Sequence, residues 1–424
     1  MKTLGRHVSL FLRKFDSAKD RRRVLKRFPL WKALQDGLPP PRRCSKTLLL
    51  IRLDDIGDYL LFRNQLSMYK NSSRWMDHKI TLLGNDSWRA LFELLDKDAV
   101  DDTIWVNKNQ YLECADYRLE IWRRLRQEGF QTVISASRTR PLLLDDLCML
   151  AADPVNSLGS QNTNVHARWN RISDSLYSSL FKPSRALMHE FNFNAEFAEW
   201  ASGIRYCGTR PRIEGRFPRP VAGPYIICFV GASTRSRRWP IKRWIEFVKL
   251  HRRYYFSKVF LAGNSKAERR MMRIIQERTG ADSIAGTVAL SELLHWVAGA
   301  EAVVTNDTMA AHMGASLSRP TVIVANGVNY MRFSEYVNAG IEHVATVYPE
   351  VVNRRRKRIG DGQYAYSETV TADIASIKAT TVINSLRGLL EGQMTAFVDP
   401  CTPPNAGWGG DFEPRCSSDP FPNQ

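Results

Sequence analysis

Two doubly wound α/β domains facing each other across a cleft are the fold this sequence predicts, and three observations predict it. From Thr47 onward, short apolar runs rich in β-branched residues alternate with longer amphipathic stretches. The alternation stops in Tyr206–Gly223, a segment crowded with Pro and Gly and without periodicity, and it restarts at Tyr225. Each run is long enough for one doubly wound sheet, and the 424 residues suit two such units. Strand–helix alternation of this kind implies parallel sheets covered on both faces.

Residues 1–46 form a basic N-terminal arm. They hold 14 Lys and Arg against 3 Asp, so most of the chain's net charge of +18 lies ahead of the first strand. Arg21, Arg22, Arg23, Lys26 and Arg27 are interleaved with Leu10, Phe11, Leu12, Phe15, Val24, Leu25, Phe28, Leu30 and Trp31, up to Pro39–Pro41. That mixture reads either as an amphipathic helix lying on an anionic membrane surface or as a solvated basic arm. Nucleic-acid binding is not expected, because no base-reading motif is present. The N-terminus has no apolar segment of a secretory signal, and the apolar runs are far shorter than the roughly 18 residues of a membrane span. The expected location is the cytoplasm, peripheral to the inner face of the cytoplasmic membrane. The seven cysteines include no C-x-x-C pair, which points to reduced thiols rather than a disulfide framework or a zinc cluster.

The first unit, residues 47–205, has strands predicted at Thr47–Arg52, Lys79–Leu83, Thr103–Val106 and Thr132–Ser135, with helices starting near Gly57, Asp86, Cys114 and Pro141. Residues 206–223 are the linker. The second unit, 224–392, has strands at Tyr225–Val230, Lys258–Ala262, Ala302–Thr305 and Thr321–Ala325. Its helices lie near Lys242–Arg253, Lys266–Thr279, Leu290–Ala298 and Thr308–Ser316. A basic loop with Arg354–Arg358 precedes a long amphipathic run, Ala372–Glu391, and the Pro- and Gly-rich residues 393–424 read as a disordered tail.

Ligands of such folds sit at the carboxyl ends of the strands, and three segments there carry chemistry. The first strand runs into Arg52-Leu53-Asp54-Asp55-Ile56-Gly57-Asp58. Asp58 at a helix start is either a capping carboxylate or a general base, which needs a lone pair within reach of a substrate proton. In the second unit, Gly231–Pro240 (GASTRSRRWP) sets small residues, hydroxyls and three Arg between a strand and a helix. This is either an anion site or a solvated basic loop. Thr305-Asn306-Asp307-Thr308 then opens a helix with His312 one turn inside, suited to a diphosphate or its ribose. Taken singly, Asp307 reads as a cap and His312 as a packed imidazole.

Together these segments resemble glycosyltransferase family 9, the heptosyltransferase family of two-domain GT-B enzymes. The resemblance spans about Thr47–Tyr336. It rests on Ile51–Asp58 (I-R-L-x-x-I-G-D), Gly231–Pro240, Leu261–Gly263 followed by Glu268, Ala285-Gly286-Thr287 before Leu290–Leu293, and Thr305–His312 (T-N-D-T-x-x-x-H). The resemblance implies that Asp58 is the catalytic base and that Ser233, Thr234 and Arg237 hold the donor diphosphate. It further implies that Glu268 lies on the donor nucleotide side, that Asp307 and Thr308 contact the donor, and that His312 borders the donor pocket. Arg52, Asp54, Asp55 and Gly57 fall on the acceptor side.

The implied activity is inverting, metal-independent transfer of a sugar from a nucleotide diphosphate, by family default heptose from ADP-heptose, to lipopolysaccharide or another cell-surface glycan or glycolipid. No cofactor is implied. Asp54-Asp55-x-x-Asp58 as a metal site is the lesser reading. The alternatives are another nucleotide sugar with a non-lipopolysaccharide acceptor, or a catalytically silent nucleotide-sugar binding protein. Asp54 and Asp55 stand where many relatives carry small or neutral residues, and they would repel a phosphorylated lipid core. Met309 replaces a common Gly, and Arg237 replaces a common Lys, which keeps the charge and changes its geometry.

Overall fold

The computed structural model describes residues 18–163, 167–185, 188–284, 286, 288–336, 340–359 and 372–392. Strands β1 (Thr47–Arg52), β2 (Lys79–Asn85), β3 (Asp102–Val106), β4 (Thr132–Ser135), β5 (Asn156–Ser160) and β6 (Ser179–Phe181) form one sheet. Its order is β3-β2-β1-β4-β5-β6, and every pairing is parallel. Strands β7 (Tyr225–Phe229), β8 (Lys258–Ala262), β9 (Asp282–Ser283), β10 (Ala302–Asn306), β11 (Thr321–Val324) and β12 (Val344–Val347) form the second. Its order is β12-β11-β10-β7-β8-β9, again all parallel, so the topology of the first sheet is repeated. Central strands of such sheets are covered on both faces and so read as continuous apolar runs. All five residues of β7 are buried, as are the last five of β1.

In each sheet the strand order reverses at one point, between β1 and β4 in the first and between β7 and β10 in the second. The crevice at the carboxyl ends of those strands is where open α/β sheets bind ligands. All three chemistry-bearing segments leave strands at these two points.

The predicted α/β class is borne out. Four short strands (β5, β6, β9 and β12) escaped the sequence reading. The stretch read as a basic loop is partly helical: Glu350–Ile359 forms a helix. The amphipathic run Ala372–Glu391 divides into a short 3-10 turn, Ile374–Ser376, and a helix, Ala379–Leu390. Residues 1–17 of the arm and the tail 393–424 lie outside the described residues.

The arm's helix, Ala18–Asp36, corrects an expectation about where its apolar face goes. Val24, Phe28 and Trp31 are buried in the core on the outer face of the first sheet, with Ile51, Tyr111, Trp122 and Leu147. The Arg118 guanidinium lies 3.7 Å from the Trp31 ring centroid, and the Gln35 amide donates to the Leu147 carbonyl. Leu30 and Leu34 remain exposed, at 67% and 47%. No described helix is long and apolar enough to cross a membrane.

The two halves meet through an apolar cluster to which both contribute, including Tyr59 and Leu60 from the front and Ala310 and Met313 from the rear. Helix Ile56–Phe62 packs directly on helix Met309–Ser316. Backbone bonds reinforce the contact: Glu190 N–H donates to Arg332 O at 2.8 Å, and Ile213 N–H of the linker donates to Ser316 O of the rear half at 2.9 Å.

Because Trp31 fills the core and Leu30 does not, their truncations are expected to differ. Trp31→Ala should destabilise by about 3 kcal/mol and Leu30→Ala by less than about 0.5 kcal/mol, read from urea unfolding midpoints.

Candidate active site

The front wall is the loop leaving β1. Asn85 Nδ2, at the end of β2, donates to Asp54 O at 2.9 Å, and Trp88 Nε1 donates to the same carbonyl at 3.2 Å, which straps the loop to its neighbour strand. Asp55, 79% exposed at its side chain, occupies the N-cap position of helix Ile56–Phe62 without a capping bond and pairs with Lys108 Nζ at 3.0 Å. Asp58 is the third residue of that helix, so capping does not account for it. Its carboxylate is half-buried, and no hydrogen bond or ion pair ties it to a described residue. Burial pushes its pKa up. Glu190 and Asp55 push the same way, and Arg332 and Arg52 oppose them. A carboxylate with raised proton affinity and free lone pairs is suited to accept a proton.

Arg52 is turned inward. Its Nε donates to Asp54 Oδ1 at 2.9 Å, Nη1 to Asn194 Oδ1 at 3.0 Å and to the Ala136 carbonyl, and Nη2 to Asp58 O at 3.4 Å. It fixes the loop's shape rather than presenting a guanidinium to a ligand. Asp54 has its pKa raised well above the usual range by burial, with Arg52 opposing and Asp58, Asp145 and Glu190 reinforcing. Asp145 lies in the π-helical turn Leu142–Asp146, and burial carries its pKa to about 7 although Ser137 Oγ donates to it at 2.9 Å. The front wall is thus rich in carboxylates.

The rear wall is the pair of loops after β7 and β10. Asn306 locks them together. Its Nδ2 donates to the carbonyls of Val230 and Gly231, each at 2.9 Å, and its Oδ1 accepts from Trp239 N–H at 3.0 Å. Within that frame Arg237 is the hub. Its Nε donates to Thr234 Oγ1 at 3.3 Å, Nη2 to the Ser233 hydroxyl and Nη1 to Asp307 O at 3.2 Å, and Nη1 lies 3.8 Å from Asp307 Oδ2. Asp307 is buried, which raises its pKa. Arg237 and a 2.7 Å bond from Asn329 Nδ2 hold the rise back. Thr308, not Asp307, is the N-cap of helix Met309–Ser316, its hydroxyl accepting from Ala310 N–H at 3.4 Å. Hydroxyls, a guanidinium and a helix start converge here, as an anion requires.

Glu268 closes a capping box with Ser265: its Oε2 accepts from Ser265 N–H at 2.7 Å and from Asn264 N–H at 3.0 Å. Its other oxygen lies against Gly231, where a Cβ would come within 1.6 Å of it. The carboxylate therefore shapes the cradle from behind. Of the motif Ala285-Gly286-Thr287, the outer two residues lie outside the described ones.

The walls touch at Gly57 and His312. A Cβ on Gly57 would stand 2.8 Å from His312 Cδ2 and 3.5 Å from Met309 Cα. His312 is buried and shares a hydrogen bond through Nδ1 with the Tyr336 hydroxyl. Burial lowers its pKa to about 3, and His189 and Arg237 add to the effect. A neutral imidazole therefore packs beneath helix Ile56–Phe62.

Sequence reasoning missed Asn306, Asn329, Glu190, Arg332, Lys108, Asp145 and Tyr336. Asn306 stood inside a quoted motif; the others carry no local signal, because their partners lie far along the chain. Among the described residues, no group of three or more His, Cys, Asp or Glu side chains is arranged to hold a metal ion.

Two doubly wound sheets with their switch points facing define the GT-B class. Residues 165–336 match the family model for Glycosyltransferase family 9 (heptosyltransferase). The resemblance seen in the sequence is borne out: the chain carries a glycosyltransferase family 9 region and is a glycosyltransferase. Solved structures agree on the fold. A family 9 glycosyl transferase from Veillonella parvula superposes with a TM-score of 0.61 at 15% identity, covering 82% of this chain and 98% of the other. The E. coli heptosyltransferase WaaC with ADP gives 0.59 at 16% identity, covering 81% and 99%. The E. coli ADP-heptose lps heptosyltransferase II gives 0.55 at 16%, covering 82% and 99%. No curated protein matches in sequence. The segment Ile51–Asp58 lies ahead of the matched region, so its role rests on geometry.

Gly57→Ala is expected to cost about 1–3 kcal/mol, and the same change beside His312→Ala to cost less than the sum of the two, measured as a double-mutant cycle. His312 and His189, whose pKa values burial lowers to about 3 and about 4, bind protons more weakly folded than unfolded. Their contribution to stability is therefore full above the unfolded value of about 6.5 and is lost as pH falls toward 4 and then 3. Imidazole NMR signals that titrate near 6.5 in the folded protein would contradict this.

Proposed function

We propose that the protein transfers a sugar from a nucleotide diphosphate to a glycan hydroxyl, with inversion at the anomeric carbon and without a metal. One observation carries the reading: the helix bearing Asp58 packs on the helix opened by Thr308, beside the cluster of Arg237, Ser233 and Thr234. A base on one wall thereby confronts an anion cradle on the other.

In this reading Asp58 takes the proton of the acceptor hydroxyl as its oxygen attacks the anomeric carbon. The bond to the diphosphate breaks on the far side, so displacement is direct. Negative charge grows on the leaving oxygen, where Arg237, the hydroxyls of Ser233 and Thr234 and the helix start at Thr308 stabilise it more than they stabilise the intact donor. These groups supply the positive field that a metal would otherwise supply. To bind the diphosphate, Arg237 exchanges its internal partners for phosphate oxygens.

ADP-heptose is the donor this family suggests, and the structural relative WaaC is described with ADP and with ADP-2-deoxy-2-fluoro heptose. The carboxylates of Asp54, Asp55 and Asp58 on the front wall favour an acceptor whose reacting hydroxyl is not flanked by phosphates. A cell-surface glycan of that kind fits better than a phosphorylated lipopolysaccharide core. For the arm, the exposed Leu30 and Leu34 with exposed Arg22, Lys26, Arg27 and Lys32 suit the anionic inner face of the cytoplasmic membrane.

Asp58→Ala should lower transfer by about 100-fold or more while leaving donor affinity within about 2-fold, because the carboxylate acts on the acceptor proton. Arg237→Ala should weaken donor binding by about 10- to 100-fold. Transfer assays and calorimetry with ADP-, GDP-, UDP- and dTDP-linked sugars measure both, and wild-type transfer by Asp58→Ala would remove the assignment of the base.

A further inference from the structure

Glu190 is fully buried at the start of helix Glu190–Ser202, in the front half, and three arginines surround it. Arg332, from the rear half, reaches it with both edges of its guanidinium: Nε donates to Oε2 at 2.8 Å and Nη2 to Oε1 at 3.3 Å. Arg332 also accepts on its own carbonyl from Glu190 N–H at 2.8 Å, and its Nη1 reaches Thr139 Oγ1 at 3.4 Å. Arg138 Nη1 stands 3.8 Å from Oε2, and Arg52 Nη2 stands 4.0 Å from Oε1. The same Arg52 nitrogen donates to the backbone carbonyl of Asp58. A continuous path of contacts thus runs from Arg332 through Glu190 and Arg52 to the turn that carries Asp58.

The bridge is built into the backbone. Met331, the residue before Arg332, adopts φ +64° and is buried. The mechanism above uses Arg332 for nothing, and no motif contains it.

We propose that Arg332 is a positioning residue for Asp58: its bridge to Glu190 sets the rear half's positive charge behind the turn that Arg52 fixes, on the side of the front half's base. The charged groups facing Asp58 come from every side. Asp54, Asp55 and Arg52 lie on its own loop, Lys108 on the helix Lys108–Glu113, Glu190 on the helix behind, and Arg332 on the opposite half. Burial and the acidic neighbours favour the protonated form, and Arg332 is the foremost cation opposing them. Removing its charge leaves Asp58 beside Glu190, with Arg52 and Lys108 as its remaining cations.

The inference rests on Asp58 as the base, and its test is independent of turnover. Infrared titration of the full chain, taken as wild type minus Asp58→Asn, isolates the carboxyl band of Asp58. The same difference is then recorded on Arg332→Met and Arg332→Lys backgrounds. The expected result is a midpoint raised by about one pH unit or more without the charge and returned toward the wild-type value by lysine. Arg332→Gln, which keeps a polar reach to Glu190 without charge, repeats the reading should the methionine variant not fold, and it is expected to raise the midpoint likewise. An unchanged midpoint in a folded, uncharged variant overturns the proposal, as does a lysine variant that behaves like methionine. Transfer that survives Asp58→Ala would instead defeat the assignment of the base and leave the infrared result standing, so the two failures are distinguishable.

Discussion

The packing of helix Ile56–Phe62 on helix Met309–Ser316 is the contact on which the architecture depends. Each helix leaves the switch point of its own sheet, so their contact sets the two carboxyl-end crevices face to face. The contact is tight because Gly57 offers no side chain and His312 lies directly beneath it. His312 is held in turn by Tyr336, and its imidazole is neutral. A charged ring there would carry a large desolvation cost, so the neutral form is the one compatible with close approach. Small residue against flat ring lets the helix that carries Asp58 approach the helix start at Thr308 closely.

Charge is distributed unequally over the two walls. Carboxylates dominate the front, where burial raises the pKa values of Asp54, Asp58 and Asp145. The rear gathers Arg237, hydroxyls and a helix start around Asp307, which serves as an internal counter-charge. Glu190 differs from the other acids. Burial would raise its pKa, but Arg332, Arg138 and Arg52 overcome that and hold it below the usual range. A buried carboxylate with three guanidinium neighbours stays ionised, and removing a partner from such a group is costly.

The sequence showed most of the framework and about half of the site. Strands such as Thr47–Arg52 and Lys258–Ala262 were legible because central parallel strands are apolar throughout. Asn156–Ser160 and Ser179–Phe181 were not, since a short run with Ser, Gly and Asn carries no period that sets it apart from a loop. The arginine-rich run before residue 360 reads as a loop by charge, yet Glu350–Ile359 is helical. Among site residues, Asp58, Arg237, Asp307 and Thr308 lie in compact segments whose spacing is meaningful in one dimension. Glu190 and Arg332 are 142 positions apart, and nothing local marks either as the other's partner. The arm was ambiguous for the same reason: its apolar residues were visible, but the surface of the first sheet that receives them was not.

Asn306 has a mechanical consequence. One buried amide ties the loop after β7 to the strand that feeds the neighbouring helix, and from the other side Glu268 fills the space beside Gly231. The cradle is therefore braced as a single block. Any breathing between the lobes has to be taken up in the connecting segments, while the backbone that carries Ser233, Thr234, Arg237 and Thr308 keeps its shape, as in a jaw whose teeth do not move within the bone.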